Sequence, residues 1–173
     1  MIKNAYPELP EMPYTKTSID MDSVIAYIKD SPYIKEVKIS TYIIFRNEGA
    51  NGKSGICNNY IGLQTDGGRW DEHISPKIIG TTIKSENMTN KQRRFACFAS
   101  FKDSLDILEY EILSRGLFVG GIAHPYHTGL VTSANDLALA YYRNWVMGSN
   151  DALPDKDFTN GFLSMYHQAE AKF

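Results

Sequence analysis

Glu48 is the residue around which chemistry can be built. It stands four positions after Ile44 and three after Phe45, so on a helix it continues their apolar stripe. Gly49 and Gly52 follow at once and end the helix there. A carboxyl in that position is partly desolvated, which disfavours its charged form and raises its pKa. A carboxyl that holds a proton near neutral pH can give it to a leaving oxygen, the task of the acid in glycoside hydrolysis.

Ten residues on runs Asn58-Asn59-Tyr60-Ile61-Gly62-Leu63-Gln64, followed by Asp66-Gly67-Gly68-Arg69-Trp70. Amides donate to and accept from sugar hydroxyl and N-acetyl groups. Aromatic rings offer an apolar face to a pyranose. Asn58, Asn59, Tyr60, Gln64 and Trp70 are therefore the candidate substrate-binding residues, with turn formation as the competing use of Asn-Asn-Tyr.

Other reactive side chains give little. Cys57 and Cys97 make no disulfide framework and no C-x-x-C pair, and read as packed thiols, with a single disulfide left open. His124 and His127 flank Pro125 in a glycine-rich stretch, which lacks the helical spacing of a usual zinc site. No metal and no cofactor is expected.

The elements that must position these residues are mostly helical. Residues 1–17 carry Pro7, Pro10 and Pro13 and read as an extended arm, free to dock on the domain or on a partner. Residues 18–173 read as one domain. Asp20 or Asp22 caps a first helix ending near Asp30, and Ser31-Pro32 starts a second that runs to Glu48. Residues 51–70 form a loop. Ile78–Ile83 and Phe95–Phe98 are the arms of a hairpin that turns at Glu86–Asn90. Three helices complete the chain: Ser100–Arg115, a segment capped by Ser133 and ended by Gly148, and a last one starting at Asp157. The expected fold class is α+β, mainly helical, with a small β-hairpin lobe between helices.

A helix ending in glutamate, then a gap, then Asn-Asn-aromatic-x-Gly-Leu resembles the bacterial N-acetylglucosaminidases that cut peptidoglycan, within the lysozyme-like superfamily. The resemblance covers roughly residues 31–116. It continues through Phe95-Ala96-Cys97-Phe98-Ala99-Ser100, which keeps the aromatic and serine spacing of the family's F-R-x-Y-x-S, with the arginine displaced to Arg94. The resemblance implies a lysozyme-like fold and a glycosidase that cleaves β-1,4 bonds of the peptidoglycan glycan strand, as glucosaminidase or muramidase. It makes Glu48 the general acid and has the Asn58-Asn59-Tyr60-Ile61-Gly62 loop line the cleft. The family's downstream G-Y-A-T-D-P-x-Y stretch is not kept. Tyr141 or Tyr142 stands in for its tyrosine, with core packing as the alternative.

The charge that develops on the sugar needs a second group. Glu86 on the hairpin, Asp66 on the loop, and the substrate's own 2-acetamido group are the alternatives. A non-catalytic lysozyme-like module of a virion or scaffold and a chitinase-like enzyme are the competing readings.

Composition sets the outer bounds. The 173 residues are 43% hydrophobic and 22% charged, as in a globular domain with a real core. A formal charge of −2 gives no general attraction to nucleic acid or to anionic membranes. No apolar run approaches the ~20 residues that span a bilayer, so no membrane insertion is expected. Residues 1–14 contain no apolar core of a signal peptide. A wall-cutting enzyme of this kind is then expected to be made in the cytoplasm and to reach the wall by another route. It would be phage-encoded, as an endolysin or a virion protein, or carried by a secretion assembly, with the N-terminal arm as its tether.

Overall fold

A computed structural model describes residues 2–85, 90–115 and 133–173 of the chain. Asp20 starts helix α1 (Met21–Asp30), where its carboxylate accepts from the Ser23 backbone N–H at 2.8 Å. That satisfies one of the donors a helix start leaves unpaired. Val24 and Ile28, one turn apart, are the buried face. Helix α2 (Lys35–Glu48) begins later than Ser31-Pro32 predicts. Ser31 instead closes α1, its N–H bonding the Ile28 carbonyl at 3.2 Å, and residues 32–34 lead into α2.

Helix α2 is the centre of the molecule. Val37 and every residue from Ile39 to Phe45 are buried, so it carries more than one apolar stripe, and α1, α3 and α5 pack around it. Gly49 closes it by donating to the Phe45 carbonyl at 2.9 Å. Gly52 has a φ of +77°, and a Cβ there would lie 2.2 Å from the Ile19 carbonyl oxygen. Only glycine fits both demands.

Strands β1 (Lys16–Thr17) and β2 (Gly55–Ile56) form a short antiparallel pair. A 3-10 turn (Ser75–Lys77) leads into β3 (Ile78–Ser85), which pairs antiparallel with β4 (Gln92–Phe98), Thr81 standing opposite Ala96. Residues 86–89 of the expected turn, Glu86 included, lie outside the described residues. Helix α3 (Phe101–Arg115) then crosses α2. The Ser133 hydroxyl caps α4 (Ala134–Tyr141), accepting from the Asp136 N–H at 3.1 Å. A wider π-helical turn over Tyr142–Met147 ends at Gly148, left-handed at φ +59°. Asp155, not Asp157, caps α5 (Lys156–Glu170), and its carboxylate takes the Phe158 N–H at 2.8 Å. The fold is α+β and mainly helical, as expected.

Residues 2–17 are extended, but they are built into the domain. Tyr6 is 1% exposed and sits in the core, its hydroxyl 2.8 Å from Ser75 Oγ. The Ala5 N–H bonds the Thr65 carbonyl, and Met12 and Thr81 are tied through N–H to carbonyl bonds of 2.7 and 3.0 Å at Met12 and Pro10. Glu11 bridges beside Thr81 and pairs with Arg94 at 2.7 Å. The prolines deny this segment a regular ladder, yet the backbone groups left over find partners along β3.

Candidate active site

Glu48 is the last residue of α2, at the point where the buried helix reaches the surface. The hydroxyl of Tyr141, the last residue of α4, donates to Glu48 Oε1, and Trp145 on the following turn lines the same cleft as the carboxylate. Tyr141 is held by packing: it is 7% exposed, tilts against Phe162 at 5.2 Å and stacks on Trp145 at 6.3 Å between ring centroids. Burial pushes the Glu48 carboxyl above its ordinary pKa, and the hydrogen bond from Tyr141 pulls part of the way back. The phenol of Tyr141 is itself pushed well up by burial and by the neighbouring Glu48, so it stays a donor.

Glu48 opens onto a cleft of about 500 Å³. Gln64, Trp70, Arg93, Glu111 and Trp145 supply its polar and aromatic features, and Ile61, Leu63, Phe95 and Leu108 its apolar wall. Gly62, also on the wall, adopts φ +67° with no atom within 4 Å of where a Cβ would be. The Arg93 guanidinium donates to the Gln64 side-chain oxygen and reaches Asp66 at 2.6 Å. Trp70 is pinned by its indole N–H, which donates to the Gln64 carbonyl at 2.7 Å. Of the candidate residues, the structure thus brings Glu48, Gln64 and Trp70 to one cleft, with Tyr141 hydrogen-bonded to Glu48.

Four other candidates do not line this cleft. Asn58 donates through Nδ2 to the carbonyls of Phe98 and Ala99 at 3.2 and 3.1 Å, tying the loop to the end of β4. Asn59 is 1% exposed, and its amide makes three bonds, to the Leu63 and Ala96 carbonyls and from the Leu63 N–H. Tyr60 is also 1% exposed, with its ring 5.1 Å from that of Phe45. These three residues shape the loop from behind rather than line the cleft, because a tight turn buried between α2 and β4 must satisfy its own backbone. Asp66 does not face the cleft either. Burial pushes its carboxyl up, but the bonds and charge of Arg93 outweigh that and hold it below the ordinary value. Glu86 lies outside the described residues, as do His124 and His127.

Glu111, on α3, is the cleft residue that sequence reasoning missed. It is 6% exposed, and its Oε1 has no hydrogen-bond partner among the described residues. Burial alone pushes its carboxyl up to about 8. The signal was present: Glu111 follows Ile107 and Leu108 by four and three positions, the same spacing that singles out Glu48.

A second cavity of about 420 Å³ borders the neighbouring face of α3, among Tyr27, Tyr33, His73, Asp106, Glu109 and Tyr110. Its charges are largely engaged, with Lys77 Nζ 2.6 Å from Asp106 Oδ2. Burial raises Glu109 there to about 7. Cys57 and Cys97 are free, buried thiols, and Cys97 is pushed up by burial and by Cys57 beside it. Among the described residues no helix is long and apolar enough to cross a membrane. Nor do three or more His, Cys, Asp or Glu side chains gather there in a group that could hold a metal ion.

What the cleft can do follows from its contents. A shielded carboxyl, steadied by a phenol, can carry a proton to a leaving group, and the open side has room for a sugar-sized ligand. Comparison with known protein families, with curated proteins and with solved structures finds no match to this chain.

Proposed function

We propose that this protein is a peptidoglycan glycoside hydrolase that cleaves β-1,4 bonds between N-acetylhexosamines, with Glu48 as the general acid. The observation that carries the reading is the placement of Glu48: a carboxyl raised by burial, hydrogen-bonded by Tyr141, at the edge of an open cleft. Glu48 protonates the glycosidic oxygen as the bond breaks. Trp70 and Trp145 offer apolar faces to the sugar rings, and Gln64 offers an amide oxygen held by Arg93. With Asp66 occupied by Arg93, the second group is Glu86 or the substrate's own acetamido group. No cofactor enters this chemistry.

The finer fold assignment, lysozyme-like, belongs to the same proposal. It rests on the order of a buried helix ending in the acid, a sealed loop, a two-stranded hairpin and a crossing helix. A phage origin, as endolysin or virion component, suits a wall hydrolase of near-neutral charge, which relies on an assembly rather than its own field to stay near the wall. A tethering partner would use the outward side of residues 2–17, since Tyr6 is spent on the core.

Zymography on purified cell walls tests the reading. The native chain is expected to clear the wall and Glu48→Gln to leave it intact, with the variant folding normally. Absence of clearing by both proteins would favour the alternative, a non-catalytic glycan-binding or structural module. The inward-turned Asn58 and Asn59 are the observation that speaks for that alternative.

A further inference from the structure

The proposed chemistry uses Glu48 and leaves Glu111 without a task. A carboxyl that is 94% buried, with one oxygen unpartnered among the described residues, is costly to keep in a helix that Leu or Met would fill without penalty. It sits on the wall of the same cleft as Glu48, beside the apolar side chains of Ile61, Leu63 and Leu108. A cleft whose wall combines these apolar side chains with a shielded carboxyl suits a ligand group that is mostly methyl with one polar atom.

We propose that Glu111 marks an acetamido subsite. Its carboxyl hydrogen-bonds the N-acetyl carbonyl oxygen of the sugar on which Glu48 works, and Ile61, Leu63 and Leu108 receive the methyl group. The proposal rests on the glycosidase reading of the cleft and adds to it the feature of the sugar that the site selects. Direction of the hydrogen bond is fixed by protonation: a neutral carboxyl has one O–H to donate, whereas a carboxylate has none and would repel a carbonyl oxygen. Burial keeps Glu111 neutral at pH 7, and the charged groups that share the cleft with it are Glu48 and Arg93. Arg93 is already bound to Asp66 and Gln64, so its charge is not spent on ionising Glu111. A sugar whose amine is free brings an ammonium and no carbonyl, and so loses the bond and the methyl packing together.

The experiment compares binding and turnover of tetra-N-acetylchitotetraose and its fully deacetylated counterpart. Titration calorimetry and reducing-end assays are run on the native chain, Glu111→Gln and Glu111→Leu. The native chain is expected to prefer the acetylated tetramer. Glu111→Gln, which keeps a donor, should hold that preference to within a few-fold. Glu111→Leu should lose about tenfold or more of it, chiefly through KM, with a melting temperature no lower than native. Equal preference in the native and Leu proteins would overturn the subsite, as would failure of the native chain to bind either tetramer. Wall clearing by the same preparations is scored separately. Clearing that persists while the preference is unmoved sinks the subsite alone, whereas no clearing by the native chain sinks the hydrolase reading.

Discussion

At the residue scale the account turns on how Glu48 is held. Its pKa is set by a contest between burial, which raises it, and the hydrogen bond from Tyr141, which favours the charged form. Removing the phenol shifts the balance. Tyr141→Phe should raise the Glu48 pKa further, so the alkaline limb of the pH–rate profile, where the acid loses its proton, moves to higher pH. The same change loosens the carboxyl, and a lost hydrogen bond to a charged group is worth about 1.5–3 kcal/mol, so kcat should fall roughly 10- to 100-fold. A pH–rate profile of the variant on soluble glycan reads both effects. An unmoved limb would mean that Tyr141 is only a packing residue.

The elements show why the loop after α2 reads as a sugar platform in sequence and serves as a brace in the structure. Asn59 gives its whole amide to Leu63 and Ala96, pinning the loop to β4. Asn59→Ala should therefore cost roughly 2–4 kcal/mol of stability, because buried backbone groups lose their partners. Denaturant unfolding would show this, and KM for glycan should change little in whatever fraction stays folded. An effect on KM with stability intact would restore Asn59 to the cleft.

Caps and periodicity made most elements legible. Asp20, Gly49, Ser133 and Gly148 mark helix ends where the sequence places them, because a side-chain acceptor or a glycine at the helix end acts locally. Ser31-Pro32 misled because the same serine can close one helix or open the next, and the tertiary path chose the former. Asn58, Asn59 and Tyr60 misled for a related reason: amides and phenols suit a sugar and a buried turn equally well, and residue type does not say which way they face. Glu111 was legible in principle from the spacing that singled out Glu48. It was passed over because no motif surrounds it.

On the scale of the whole molecule, two buried carboxyls on α3 couple the fold to pH. Glu109 and Glu111 are pushed up to about 7 and about 8, chiefly by burial. An acid whose folded pKa lies above its unfolded value binds its proton more tightly when folded. The stability it contributes is fully present below the unfolded value near 4.5 and is lost as pH rises through the folded one. The melting temperature should fall from about pH 5 to pH 8, and Glu111→Gln should flatten the upper part of that slope. A melting temperature flat across this window would place both groups in water. The N-terminal segment belongs to the same cooperative unit, since Tyr6 in the core and the Glu11–Arg94 pair join it to β3 and β4.

The most direct test of the central claim is mass spectrometry of purified peptidoglycan digested by the native chain and by Glu48→Gln, with new sugar ends tagged by borodeuteride reduction. The account predicts new reducing-end N-acetylhexosamines with the native chain and none with the variant, at matched melting temperatures. Glycan strands left uncut by the native chain, or cut equally by both proteins, would contradict it.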